Sequence, residues 1–418
     1  LSNNFYSGND ADYGNTLATT GFEGDLDMSN SVFDVYNCPE QEVTTVWVDV
    51  DEDVDVNFEN SVGELCSITE DVWVSPSGDD NNLGTSTEQA FKTIQRALEM
   101  IAPEDDDPVT INLTAERFSP STSGENFPIR MMSNVNIIGR GKEETIIDAE
   151  GIAQVFSAYY CENGLLSNLT ITGGGKELGR STYFDEELLG GGIRLYESDI
   201  ILSNLNIRNN FAWFGSAIYM NGSNPTLKNL EIYDNMTSLA GEEFSEIYNA
   251  TGCAVRLYLS NPFMSNVIIR DNVTNNIIEV NEAYDCAGLC LYGSNPNMLN
   301  VIIKNNTSIN LHSQQFQFHS VYRGGGMVLS SSNPILTNVL ISGNTSVEGF
   351  GMGLWSSNAS LYNVTISNNT SSNGENTAFH LESNSNLTLS NSIVWSDDNY
   401  TYDWIDESSH LITSFSNI

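Results

Sequence analysis

The chain has 418 residues, of which 40% are hydrophobic, so it is long enough for two or three ordinary domains or for one repetitive domain. Its 55 acidic and 15 basic residues give a formal net charge of −40, which would repel a polyphosphate and excludes nucleic acid as a partner. No stretch approaches the roughly 18 consecutive apolar residues of a membrane span, so we predict no direct membrane insertion.

The first 70 residues form an acidic segment with 16 Asp or Glu residues and no Lys or Arg. The run VTTVWVDVDEDVDVNF at residues 43–58 is rich in β-prone residues, which predicts strands. We therefore expect residues 1–70 to be a small, partly stranded accessory segment. A disulfide between Cys38 and Cys66 would close it.

An amphipathic helix is predicted next, at about residues 87–101. After Thr87, apolar residues recur at three- and four-residue intervals, namely Phe91, Ile94, Ala97, Leu98 and Ile101. This spacing gives the helix one apolar face, which must be buried against a neighbouring element.

From residue 154 onward, a pattern of 21 residues recurs eight times, starting at Gln154, Gly190, Gly215, Gly252, Cys286, Gly324, Gly349 and Thr377. Alternating runs within each copy predict three short strands. The copies start 25 to 38 residues apart, so rigid blocks are separated by loops of variable length, as in a solenoid. We expect one solenoid domain at residues 71–418, with coils at 124–418 and the helix as its N-terminal cap. Because HLITSFSNI at the C-terminal end resembles the start of another coil, we expect the native gene product to continue.

Equivalent places in the copies carry equivalent residues. The thirteenth place is Leu or Met and the eighteenth is Ile or Val, so these side chains can stack in one interior. The fifteenth place is always Asn: Asn168, Asn204, Asn229, Asn266, Asn300, Asn338, Asn363 and Asn391. Asn tolerates left-handed geometry at a bend, and its amide can bond the same amide about 4.8 Å away in the next coil. We predict an asparagine ladder; ordinary turn residues or glycosylation sites are the alternative.

These repeats resemble those of bacterial right-handed β-helix proteins of the pectate-lyase-like superfamily. The stretch VWVSPSGDDNNLGTSTEQAFKTIQRAL at residues 72–98 resembles the opening segment of that group. The resemblance covers about residues 72–418 and implies an all-β fold, a right-handed parallel β-helix solenoid with an N-terminal capping helix. The superfamily includes lyases, hydrolases, adhesins and structural proteins, so it does not decide the chemistry. Its lyases use an Arg or Lys base beside Ca²⁺-binding aspartates, a role that would fall here on Arg194 or Arg256.

One outward face of the solenoid carries aromatic residues and arginines. The fourth and sixth residues of the first strand point inward, so we expect the fifth and seventh to face solvent. These two rows contain the candidate glycan-binding residues Tyr160, Arg194, Tyr196, Tyr219, Arg256, Tyr258, Tyr292 and Trp355. Aromatic faces stack on sugar rings, and arginine binds carboxylates or hydroxyls. The alternative is that these residues only decorate an exposed sheet, where aromatics are favoured.

Long insertions precede the same strand and would wall this face into a groove. They carry the acids that we take as candidate Ca²⁺ ligands: Asp185, Glu186, Glu242, Glu243, Glu282 and Asp285. The alternative is that these acids only keep the loops soluble. The four histidines (His312, His319, His380 and His410) show no ligand spacing, and we expect them to be loop or packing residues.

The cysteines predict a second disulfide. Cys253 and Cys286 occupy the second and first places of adjacent copies, which are close enough to bond in a stacked solenoid. Cys161 and Cys290 would remain thiols. In an extended strand, Cys286 and Cys290 would lie roughly 13 Å apart, which is too far for a bond.

Two functions remain open. The first is a binding or structural protein, such as an adhesin, a surface-layer protein or a filament subunit, that contacts an extracellular glycan or another surface protein. The second is a Ca²⁺-assisted polysaccharide lyase or glycoside hydrolase. A carboxylate-rich surface suits salt and Ca²⁺, so we expect a secreted or cell-surface protein. Because no strand presents an Asp cluster beside the arginines, the first hypothesis is favoured.

A homo-oligomer or filament is a further expectation. The seventeenth place, which should point outward, is apolar in Ile268, Ile302 and Leu340 of consecutive coils. Apolar residues in an outward row suggest a covering partner, although single surface aliphatic residues are common.

Overall fold

The computed structural model describes residues 68–103, 107–175, 189–239, 252–276, 284–310, 322–346, 350–371, 377–395 and 404–418. Ahead of them, short strands pair in parallel within the acidic segment: Phe5–Tyr6 with Val32–Phe33, and Leu26–Asp27 with Val56–Asn57. Cys38 and Cys66 lie outside the described residues, so their disulfide remains a prediction, as does the domain boundary at residue 70.

The N-terminal helix is shorter than predicted. A 3-10 helix, Thr87–Gln89, is followed by Phe91, which pairs with Val74, and the α-helix runs over Ile94–Met100. Because Phe91 extends the edge of a strand, the backbone before the helix cannot be helical. The hydroxyl of Thr93 then caps the helix by accepting a backbone N–H bond. No helix in the described part of the chain has the length and apolar character of a membrane span.

Three parallel sheets run the length of the solenoid. The first sheet contains the strands Ile129–Arg130, Phe156–Tyr159, Ile193–Tyr196, Ile218–Asn221, Val255–Tyr258, Leu289–Tyr292, Met327–Ser330, Phe350–Trp355, Thr377–Glu382 and Trp404–Ile405. The second contains Val72–Val74, Val109–Leu113, Val135–Ile138, Thr226–Lys228, Phe263–Ser265, Asn297–Leu299, Ile335–Thr337, Asn358–Tyr362, Asn386–Ser390 and His410–Ser414. The third contains Arg117–Phe118, Ile146–Asp148, Glu231–Tyr233, Ile268–Arg270, Ile302–Lys304, Leu340–Ser342, Thr365–Ser367 and Ile393–Trp395. Two long strands, Glu162–Thr172 and Asp199–Arg208, pass through both the second and the third sheet.

Each coil visits the three sheets in turn, and each strand pairs with its equivalent in the next coil. The fold is therefore the predicted all-β, right-handed parallel β-helix. A short fourth sheet follows the third, with strands Phe211–Ala212, Met236–Leu239, Val273–Asn276, Thr307–Asn310, Thr345–Ser346 and Thr370–Ser371. One further pair joins Tyr284–Cys286 to Tyr322–Gly324.

The predicted interior columns are confirmed. Leu227 pairs with Met264, Ile232 pairs with Ile269, and all four side chains are fully buried. Burying each side chain of this size stabilises the fold by roughly 1.5–3 kcal/mol, and the stacking of coils supplies that burial.

The asparagine ladder at the fifteenth place is also confirmed. All eight residues have a positive φ, between 50° and 59°. Amide bonds of 2.6–3.1 Å join neighbouring members from Asn229 to Asn391, and another joins Asn204 to Asn168. The backbone carbonyl of Asn229 accepts a bond from Lys142 Nζ (3.0 Å).

Two buried ladders were not predicted. The last place of six copies holds an inward Asn: Asn210, Asn235, Asn272, Asn306, Asn344 and Asn369. The amide of each of the first five donates to the next Asn and to a backbone carbonyl, whereas Asn369 accepts from Asn344 and donates to the Ile341 carbonyl. The ninth place holds buried serines whose hydroxyls accept from the backbone of the preceding coil, as Ser260 does from Ser223 (3.0 Å). These side chains satisfy backbone groups at the corners, where no sheet pairing is available.

Candidate functional site

The candidate site is the outward face of the first sheet. The predicted inward orientation of the fourth and sixth places is confirmed, because Ile218, Met220, Val255 and Leu257 are fully buried. The register places Arg194, Tyr219 and Arg256 in one outward row at the fifth place. The seventh place forms a parallel row of Tyr159, Tyr196, Asn221, Tyr258, Tyr292, Ser330, Trp355 and Glu382.

The first coil differs from the prediction by one residue. Tyr159, not Tyr160, pairs with Tyr196, because this coil has one extra residue and the register shifts between Glu162 and Leu165. Tyr160 instead takes a left-handed conformation (φ 54°) and is 59% exposed. Its ring meets that of Tyr196 edge-on, with 5.5 Å between centroids.

Five tyrosines on this side, Tyr159, Tyr160, Tyr196, Tyr258 and Tyr292, make up what we call the tyrosine face. Asn221 occupies the coil between Tyr196 and Tyr258, so the rings fall into two neighbouring groups. Tyr159 and Tyr196 are in contact, with ring centroids 6.1 Å apart. Tyr258 is 41% exposed, and Tyr196 and Tyr292 are half-buried. Four of the predicted glycan-binding residues therefore lie together here.

The fifth-place row does not face solvent, contrary to the prediction. Arg194 and Arg256 are only 5% and 9% exposed. The Arg194 guanidinium lies over the ring of Tyr159 (5.0 Å), and that of Arg256 lies between the rings of Phe214 (4.6 Å) and Tyr292 (4.9 Å). Packing against these rings buries the arginines, which is a favourable cation–π arrangement.

Tyr219 lies between the two arginines in the same row. Burial raises the pKa of its hydroxyl, and the positive charges of Arg256 and Arg194 only partly oppose this effect. The hydroxyl is therefore protonated at neutral pH. Tyr219 is 9% exposed, so it does not belong to the exposed tyrosine face.

Trp355 also departs from the prediction, because it is 4% exposed. It packs with Cys290 and Val328 in a small apolar cluster outside the first sheet, and its ring stacks on His380 (5.0 Å between centroids). Its Nε1 donates to Glu382 Oε2 (3.0 Å), which also lies 3.1 Å from His380 Nε2. This Trp-His-Glu group was not predicted, because one extra residue in the last coil shifts His380 and Glu382 into the outward rows.

The predicted metal ligands are not tested by this structure. Asp185, Glu186, Glu242, Glu243 and Glu282 lie outside the described residues, and Asp285 is placed only as part of the strand Tyr284–Cys286. Within the described ranges, no three His, Cys, Asp or Glu side chains come together as a metal site. The apolar row of Ile268, Ile302 and Leu340 is half-buried, and self-association remains a prediction.

The predicted Cys253–Cys286 disulfide is wrong for this structure, in which both residues are buried thiols. The Cys290 thiol hydrogen-bonds with both of them, and the Cys286 thiol also donates to the Gly326 carbonyl (3.8 Å). The expected separation of Cys286 and Cys290 is also wrong. The chain bends between the strands Tyr284–Cys286 and Leu289–Tyr292, so the two residues do not share one extended strand.

Comparison with known families gives two matches. Residues 76–315, more than half of the chain, match the family described as protein of unknown function (DUF1565). Residues 316–418 match the right handed beta helix region family. No curated protein matches the sequence at a significant level.

Several solved structures are similar to this chain at low identity. A pectate lyase, Pel9A, shares 12% identity with a TM-score of 0.46, covering 81% of this chain and 79% of its own. The A-module of the Azotobacter vinelandii mannuronan C-5 epimerase AlgE4 shares 14% identity with a TM-score of 0.39, covering 74% and 87%. A pectin methylesterase in complex with a hexasaccharide shares 12% identity with a TM-score of 0.30, covering 82% and 88%.

Proposed function

The chain belongs to the DUF1565 family, and we propose that it binds a glycan along the tyrosine face of its β-helix. The observation that carries the proposal is the exposure of phenol rings on the same face of several coils, 59% for Tyr160 and 41% for Tyr258, which lies three coils further along. Such rings present flat apolar surface that stacks on the C–H faces of sugars, while their hydroxyls bond to sugar hydroxyls. The coil repeat of about 4.8 Å sets these contacts along one line.

The glycan class follows from charge. With 55 acidic and 15 basic residues, the chain repels a polyanion over long distances, so we expect a neutral glycan to bind more tightly than a polyuronate at low salt. The same acidic surface supports a secreted or cell-surface location, where salt and divalent cations screen it.

Binding is favoured over catalysis by the burial of the arginines. A general base must reach the proton that it removes, whereas Arg194 and Arg256 are packed against aromatic rings and almost buried. We therefore propose a binding or structural role, as in an adhesin, a surface-layer protein or a filament subunit.

The test compares two exposed tyrosines. Tyr258→Ala, on the tyrosine face, should weaken glycan binding about tenfold, whereas Tyr362→Ala, on the second sheet and 45% exposed, should leave it unchanged. Calorimetric titration against neutral and acidic polysaccharides, with and without Ca²⁺, measures the effect. Equal losses in both variants would contradict the proposed face. If ultraviolet absorbance increased during the incubation, the chain would be a lyase. If the number of reducing ends increased, it would be a hydrolase. Either result would contradict a purely binding role.

A further inference from the structure

Three buried thiols meet beside the first sheet. Cys253, Cys286 and Cys290 belong to one small apolar cluster with Val328 and Trp355, and all three cysteines are fully buried. This cluster lies outside the main core. Nothing in the proposed glycan contact uses these thiols.

The two flanking cysteines occupy equivalent positions in adjacent coils. The carbonyl of Cys253 accepts from the hydroxyl of Thr237 (3.1 Å), and that of Cys286 accepts from the hydroxyl of Thr274 (2.9 Å). Since Thr237 and Thr274 pair in register, Cys253 and Cys286 stack one coil apart. Cys290 comes from the fifth place of the second of these coils and hydrogen-bonds with both thiols.

The surroundings distinguish the three thiols. Burial opposes ionisation of Cys253, but the Cys290 thiol and the Arg256 guanidinium outweigh it and lower the pKa of Cys253. Burial raises the pKa of Cys286 and of Cys290. The Cys253 thiol, which lies beside Arg256, therefore ionises more readily than the other two.

We propose that Cys253, Cys286 and Cys290 form a redox site in which Cys290 is the shared disulfide partner of the two flanking thiols. The oxidant is a low-molecular-weight disulfide such as oxidised glutathione, which reaches these fully buried thiols during local opening of the cluster. The Cys253 thiolate attacks one of its sulfurs and releases a glutathione thiolate, which takes up a proton. Cys290 then loses its proton and attacks the Cys253 sulfur of the mixed disulfide, which releases the second glutathione. Two protein thiols are oxidised to one disulfide, and one glutathione disulfide is reduced to two thiols.

Cys286 gives the site an alternative state. Its thiolate can attack the Cys290 sulfur of the new bond and release Cys253 as a thiolate, with no net oxidation. The first bond joins adjacent coils, whereas the second lies within one coil. Oxidation thus permits a covalent link between the two coils, and thiol–disulfide exchange with Cys286 removes that link without reduction.

The experiment incubates the full folded chain in glutathione buffers of graded redox poise, followed by acid quenching, alkylation and disulfide peptide mapping. We expect one bond from this cluster, with Cys290 in every mapped species and no retained glutathione. Cys286→Ser should keep the Cys253–Cys290 bond, and Cys161→Ser should match the wild type, because Cys161 lies elsewhere and donates to the Met131 carbonyl (3.0 Å). Cys290→Ser should lose the wild-type bond. A predominant Cys253–Cys286 bond in the wild type, or three thiols that stay reduced at every poise, would overturn the proposal whether or not the variants fold.

Discussion

Glu125 is a buried carboxyl group that supports the N-terminal helix. Its two oxygens accept the backbone N–H groups of Ile94 (2.8 Å) and Gln95 (2.9 Å), and the residue is 1% exposed. Burial raises its pKa from 4.5 to about 7, and the nearby charges of Asp80 and Glu99 add to the rise, while the backbone bonds oppose it.

This shift predicts a pH-dependent stability. Between pH 4.5 and 7 the Glu125 carboxyl holds a proton in the folded state that it releases in the unfolded state. The contribution of Glu125 to the free energy of unfolding is therefore fully present below pH 4.5 and is lost as the pH rises through 7. The loss amounts to about 3 kcal/mol. Glu125→Gln cannot ionise, so its urea midpoint should vary less with pH, whereas exposed Glu144→Gln should follow the wild type. Identical profiles for the wild type and Glu125→Gln would contradict the raised pKa.

The two asparagine ladders should differ in energetic weight. Asn272 is buried and bonds Asn235, Asn306 and the Ile232 carbonyl, so Asn272→Ala leaves several buried polar groups unsatisfied. Each such group costs about 1–3 kcal/mol. Asn266→Gly keeps the left-handed bend and loses only exposed amide bonds, so its cost should be below about 1 kcal/mol.

Urea unfolding of both variants, which alter the same coil, measures this difference. An Asn266→Gly variant that is as unstable as Asn272→Ala would show that the exposed ladder contributes equally to stability.

Both ladders are visible in the sequence as regularly spaced Asn residues. Only the fifteenth-place ladder was predicted, because the sequence does not say which of two bends turns its side chain inward.

At the scale of elements, the N-terminal helix is expected to act as a cap. Its buried side contacts the strands Val72–Val74 and Ile129–Arg130, and Ala97 on that side is fully buried. Ala97→Glu should displace the helix, lower the thermal midpoint and expose strand edges that self-associate. Sedimentation velocity measures association, and exposed Gln89→Glu adds the same charge as a control. A monomeric, fully stable Ala97→Glu chain would mean that the helix is not a cap.

The strands and their order could be predicted because side chains that stack in the interior must be apolar and similar in size. The same residue types therefore recur at the same place in every copy. The outer rows were less predictable, since nothing in the interior fixes them. One extra residue in the first and last coils moved Tyr160 out of its row and brought His380 into one. The burial of Arg194 and Trp355 arises from neighbours on other coils, a contact that period-two alternation does not encode.

At the scale of the whole molecule, the charge distribution decides how the solenoid responds to ions. A net charge of −40 destabilises the compact state through self-repulsion. Added NaCl shortens the Debye length from about 10 Å at 0.1 M to about 3 Å at 1 M, so the unfolding midpoint should rise with salt. The predicted Ca²⁺ ligands would add an effect that depends on ion identity.

The last prediction separates general screening from a calcium site. At equal ionic strength, CaCl₂ should raise the thermal midpoint more than NaCl or MgCl₂, because a bound ion stabilises by about 2.7 kcal/mol at a concentration of 100 Kd. Neutralising Glu242 and Glu243 to Gln should remove this calcium-specific increment. Neutralising exposed Glu70 and Glu88 removes the same charge and should leave the increment intact. If CaCl₂ matches the other salts, the acidic insertions act only through their charge, and the proposed calcium ligation is wrong.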